Sequence, residues 1–194
     1  AWSQQREEMR NQAERFRMED RRFEDEKKEI AKRLRVDAAI NLFQEWHSSE
    51  MLKCRRDSDR AFMLSDISMS DIFAKCRETP GHVTPMLGSA SVEADESVSL
   101  EAYEAASRVY HFFEKLVILC NGDIVDGATV KTLLEVYRFY WYNIFQKVRV
   151  KQEQQVESGM DDVPDNHPNR SGKRLVLEML KKIEVFCDVQ EKRL

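Results

Sequence analysis

The chain has 194 residues, enough for one globular domain with an extended arm. Charged residues make up 34% of it, both signs are well mixed and the formal net charge is -4. That balance speaks against nucleic acid as a partner, since domains that bind it carry a net basic face, and no apolar run approaches the roughly 18 residues of a membrane span.

The first segment, residues 1–35, is a polar helical arm. Trp2, Met9, Phe16, Phe23 and Ile30 recur every seven residues, and almost everything between them is charged or amide. A sustained seven-residue repeat drifts by roughly 20° per heptad on a straight helix, so it asks for a supercoiled partner. A two-position seam would need a second apolar residue per heptad. Here that place is held by Gln5, Gln12, Glu19, Glu26 and Arg33. One file of large side chains on a polar helix points to association with like helices, not to chemistry. No helix start signal opens the pattern at Ala1, so the chain reads as beginning inside an element. Trp2 would suit the aromatic belt at the edge of a preceding membrane segment, or is an ordinary exposed aromatic on a helix that starts further upstream.

From 36 to 78 the pattern thickens. Val36, Ala39, Ile40, Phe43 and Trp46 make the wider stripe of a core-facing helix continuous with the arm. Ser48-Ser49 reads as the cap of a new helix over about 50–63. Ser65-Asp66 and Ser70-Asp71 offer starts for a short one with Ile72, Phe73 and Cys76. Residues 79–98, with Pro80, Gly81, Pro85 and Gly88, read as a long loop. The remaining 99–194 form the core bundle. Ser99 caps a helix whose face carries Leu100, Tyr103, Tyr110, Phe113, Leu116, Val117 and Cys120, and Asn121-Gly122 supplies a left-handed stop. Asp126 begins the next helix so soon afterwards that the two should be antiparallel neighbours. A second loop at 161–169 leads to a last helix capped by Ser171. No stretch alternates as a strand does, so the fold class is all-α: a long N-terminal polar helix leading into a small helical bundle with an antiparallel helix hairpin.

Tyr110-His111-Phe112-Phe113-Glu114-Lys115-Leu116, the Asn121-Gly122-Asp123 turn and Tyr140-Trp141 follow one another in an order that resembles a little-characterised bacterial family of small proteins. Those proteins have an N-terminal membrane span, a long polar helix and a helical domain. The segment Phe43–Arg60 is similar to the capped helix that follows their arm. The layout is also similar to that of membrane effectors accompanying type VI CRISPR nucleases and other phage-defence systems. The resemblance implies a membrane-associated homo-oligomer on the cytoplasmic face, a pore or accessory effector, and brings no catalytic residues.

Candidate chemistry is thin. Arg77 and His82 have the Arg-x4-His spacing of HEPN-type ribonucleases, in which such a pair would hold phosphate and move a proton across a dimer; a histidine suits that role by its ordinary pKa. The pair falls across Pro80-Gly81, and a surface-loop pair is the simpler reading. His47, His111 and His167 are dispersed, with His111 expected partly buried. No spacing suits zinc, and no glycine-rich phosphate loop occurs, so neither metal nor cofactor is expected. The aromatic run Tyr137–Phe145 covers more than one helical face. Tyr137, Tyr140 and Ile144 are expected to face the hairpin. Phe139, Tyr142 and Phe145 would then lie outward, covered by other helices if this helix is central, or else forming a second subunit contact. The reading is an interaction protein whose copies associate through Trp2, Met9, Phe16, Phe23 and Ile30, against the alternatives of the ribonuclease or of a soluble scaffold whose arm binds another protein's helix.

Overall fold

A computed structural model describes residues 2–64, 67–77, 98–158 and 168–188. Seven helices follow in order: α1 (Trp2–Trp46), α2 (Ser49–Leu64), α3 (Met69–Arg77), α4 (Leu100–Asn121), α5 (Gly127–Leu133), α6 (Glu135–Ser158) and α7 (Pro168–Cys187). No strand occurs among the described residues, and the all-α expectation holds. The loop expected over 79–98 lies outside the described residues apart from its last position.

Local chemistry sets the helix ends. Ser48 caps α2 as expected: its Oγ accepts from the Met51 amide at 3.2 Å and its carbonyl from the Leu52 amide at 2.9 Å. The start of α3 falls between the two expected ones. Ser68 Oγ accepts from the Asp71 amide (3.2 Å), and the Asp71 carboxylate accepts in return from the Ser68 amide (3.1 Å) and hydroxyl (2.7 Å). Two orphan amides are thus satisfied reciprocally, with aspartate in the place a glutamate usually takes. At the end of α4 the left-handed residue is Asp123, at φ 54°, while Gly122 sits at φ -81°. The Ile124 amide donates to the Leu119 carbonyl and the Asp123 amide to that of Cys120, the paired closure of a Schellman turn. The stop is therefore one residue later than the glycine suggests.

The helices pair differently from the expected hairpin. α4 packs most closely on α2 and α3, and α6 on α7. Ion pairs fix the directions: Lys115 with Glu45 and Arg108 with Glu50 run α4 antiparallel to the α1–α2 corner, and Arg149 with Glu184 and Lys181 with Glu153 run α6 antiparallel to α7. α4 meets α6 through large rings, with Phe113 centred 5.0 Å from Phe145 and 5.9 Å from Trp141. At the hub lies Trp46, fully buried, its ring 4.7 Å from Phe112, 5.4 Å from Phe113 and 6.0 Å from Trp141. The central helix is α4, which buries Ala102, Tyr103, Ala105, Ala106, Val109 and Tyr110 in its first half alone. Leu134 interrupts what was expected as one helix from Asp126, separating α5 from α6. α6 then turns Trp141, Ile144, Phe145 and Val148 inward.

Four polar residues are buried, Ser58, Ser68, Arg138 and Gln152, and the two longest tie helices together. Arg138 donates from Nε to the Phe186 carbonyl (2.8 Å) and from Nη2 to that of Asp188 (2.6 Å). A cation there serves the carbonyl end of α7, where the helix dipole is negative. Gln152 accepts from the Ser70 amide at 3.0 Å and donates to Ser70 Oγ at 2.8 Å and to the Lys173 carbonyl, joining α3, α6 and α7.

Candidate interaction surface

α1 has two parts with different environments. Its last dozen residues belong to the body, with Ala39, Leu42 and Trp46 buried. Among the described residues the helix first bonds to the rest of the chain at Arg35, whose carbonyl accepts from the Asp126 amide at 3.2 Å and whose guanidinium pairs with Asp123 at 2.5 Å. Asp123 is held in place by the turn that closes α4, so the base of the arm is clamped to the rim of the body. Before that point residues 2–34 span about 50 Å at 1.5 Å per residue, and every side chain described there is exposed.

Trp2, Met9, Phe16, Phe23 and Ile30 are 79%, 61%, 61%, 59% and 58% exposed. Phe23 keeps that exposure although the Lys27 ammonium lies over its ring at 4.3 Å. Leu34 continues the strip toward the body and is also exposed. The strip is not an extension of the core-facing stripe: at ~100° per residue it lies about a third of a turn away from Ala39, Leu42 and Trp46. The arm therefore cannot bury its row by lying back on the surface that holds its own root.

The polar residues do little to hold the arm up. Lys27 pairs with Glu24, Lys28 with Asp25 and Arg33 with Glu29, all well exposed, and each such pair contributes about 0.3–0.5 kcal/mol. Along residues 2–34, like charges stand four apart at Arg6/Arg10, Arg17/Arg21, Asp20/Glu24, Asp25/Glu29 and Lys28/Lys32. Of the opposite pairs at that spacing, Arg10/Glu14, Arg15/Glu19, Arg21/Asp25 and Arg22/Glu26 have the base first, the weaker order. Helices without tertiary packing are marginal in water, and this one has few internal supports.

The other candidates fare variously. Arg77 is the exposed last residue of α3, and His82 lies outside the described residues, so the pair is not brought together among them. Phe139 is exposed, Tyr142 half-buried and Phe145 fully buried against Phe62, Phe113 and Trp141, so these three do not share one outer face. Tyr140 was expected to face the hairpin. It stands at the surface, its hydroxyl donating to Asp59 at 2.8 Å, and burial followed by that bond pushes its pKa up to about 12. His111, expected partly buried, is exposed, stacked on Phe73 and bonded to Glu114. Burial raises the thiols of Cys76, Cys120 and Cys187, the opposite of what a nucleophile needs. Among the described residues no group of three His, Cys, Asp or Glu could hold a metal ion.

Sequence reasoning missed one cluster. His47 Nδ1 meets the Phe43 carbonyl at 2.8 Å, which makes that nitrogen the donor, so Nε2 accepts from the Tyr137 hydroxyl at 2.9 Å. Arg55 lies over Trp46 and Tyr137, 4.5 and 5.0 Å from the ring centres. Its parts come from three helices and leave no common spacing to read.

No helix among the described residues is long and apolar enough to cross a membrane. This overturns the expected membrane-associated pore, because the arm that was to lead into it is polar on every side but one. No protein family, curated protein or solved structure matches the chain, and nothing in these comparisons bears on the resemblance to membrane effectors of phage defence.

Proposed function

We propose that this chain is an assembly module, in which a helical body presents a clamped, projecting helix that associates with the same helix of another copy. One observation supports the reading above the rest: five large apolar side chains, evenly spaced on one strip, are each more than half exposed and have no counterpart among the described residues. Monomers keep contiguous apolar patches small unless they are used. With aromatic side chains offering ~150–250 Å² each, covering the row would remove on the order of 700 Å² per arm and about 1,400 Å² per pair, within the range of specific protein interfaces. The body contributes the fixed root at Arg35, Asp123 and Asp126.

Sedimentation of the full chain over a range of concentrations tests this. The expected result is a mass above the 22.9 kDa of one copy, returning to a single copy in a Phe16→Glu, Phe23→Glu double variant whose helix content is unchanged. A wild-type chain that stays monomeric at the highest concentrations overturns the proposal, and so does a double variant that assembles as before.

A further inference from the structure

We infer that two arms pair antiparallel, with Phe16 on the two-fold axis between them. This rests on the association proposed above and adds its direction and register.

The row is symmetric about its middle. Laid against a reversed copy, Trp2 meets the second arm's Ile30, Met9 meets its Phe23, and Phe16 meets its own counterpart. All five side chains on each arm are covered, and a two-fold axis provides each unlike contact twice. A shift of one heptad toward the bodies sets Trp2 against Asp37 and loses that contact.

A parallel pair in register would match the five side chains equally well, so the strip beside the row decides. Gln5, Gln12, Glu19, Glu26 and Arg33 each follow a row member by three residues, and all are exposed. Parallel arms place Glu19 on Glu19, Glu26 on Glu26 and Arg33 on Arg33, three like-charged layers across the seam. Antiparallel arms centred on Phe16 place Gln5 opposite the second arm's Glu26 and Gln12 opposite its Glu19. Amide donors then face carboxylates, which only accept, and charge-assisted bonds of this kind are the stronger class. The adverse contact in this arrangement is Arg6 against Lys27 on the other flank, at the rim, where salt screens it.

The lengths agree. The overlap occupies residues 2–30 and ends before Arg35, where the helix first hydrogen-bonds the body, so these residues pair without meeting either body. The two bodies then stand at opposite ends of one rod, about 55 Å apart measured between their Arg35 positions at 1.5 Å per residue. The assembly is a spacer that holds two copies of the helical body at a fixed distance.

Directed disulfide formation in the full chain tests the direction separately from the association. Gln12→Cys and Glu19→Cys are made singly, with the unsubstituted chain as control for the native cysteines, of which Cys54 and Cys187 are buried and Cys76 and Cys120 half-buried. On mild oxidation, a mixture of the two variants is expected to give severalfold more covalent dimer than either alone, and that dimer should contain one of each. Dimer formed readily by each single variant would show parallel arms and overturn the inference while leaving the association standing. Particles dimeric by sedimentation that form no crosslink in any combination overturn it as well. A monomer throughout removes the inference and the association together.

Discussion

The last dozen residues of α1 and the thirty-three before them are one unbroken helix, yet they differ in what keeps them helical. The rear part packs on α5 and sets Trp46 at the centre of four aromatic neighbours from α4 and α6. The front part has an equally regular row and nothing beneath it among the described residues. Periodicity alone is therefore not the mark of a core: the width of the stripe is. Where three or four apolar residues fall in two turns the helix packs on its own chain, and where one falls per heptad the surface is too narrow for that and suits a second narrow surface.

The comparison breaks most sharply at Trp46. Trp46→Ala should destabilise the body by about 3–5 kcal/mol, the usual effect of emptying a buried aromatic site, read as a lower denaturant midpoint. Phe16→Ala should leave that midpoint alone in the dilute, monomeric chain. If both substitutions lowered it equally, the arm would be part of the core and the division would be false. Gln152→Leu tests the polar half of the body. It leaves the Ser70 amide and hydroxyl and the Lys173 carbonyl without their bonds, a loss of about 1–3 kcal/mol by the usual effect of unsatisfied buried groups. A neutral result would mean that water replaces the amide and that the joint between α3, α6 and α7 is open.

What could be read in the sequence follows the same division. The arm's row and the Ser48 cap were legible because each depends on residues close together in the chain. The central place of α4 was not, because the runs around Phe113 and Trp141 are equally aromatic, and only the packing of α2 and α3 on the first decides between them. On α6 Ile144 and Tyr137 face the core as expected, but Phe145 joins them there, and Tyr140 reaches out to Asp59, which no local pattern foretells. The turn after α4 places its left-handed residue at Asp123 in spite of Gly122, since an aspartate tolerates that conformation and here pairs with Arg35. Arg138 reads as a surface charge until the end of α7 is seen against it.

A smaller effect concerns the rim where body and arm join. Asp126 caps α5 by accepting from the Thr129 hydroxyl and from the Thr129 amide at 2.8 Å, and these bonds hold its carboxyl below the usual carboxylate range. A carboxyl depressed by folding contributes its stability above its unfolded pKa, about 4, and loses it as pH falls through the lower folded value. Asp126→Ala should therefore cost about 1 kcal/mol at neutral pH, as N-cap losses do, and the gap to wild type should close on acidification. A gap that stayed constant into acid would show that the carboxylate's charge is not what the cap uses.

The smallest expected effect is the most telling for the comparison. Phe23→Ala removes an exposed ring from the arm, over which the Lys27 ammonium lies. Exposed substitutions away from caps and cores change stability by less than about 0.5 kcal/mol, so the unfolding midpoint of the dilute, monomeric chain should not move. At concentrations where copies associate, the same variant should melt lower than wild type, because whatever binds only the folded chain stabilises it by mass action. The signature is thus a difference that grows with concentration from nearly nothing. A constant difference at every concentration would place Phe23 in an intramolecular contact, and no difference at any concentration would mean that the arms do not use it.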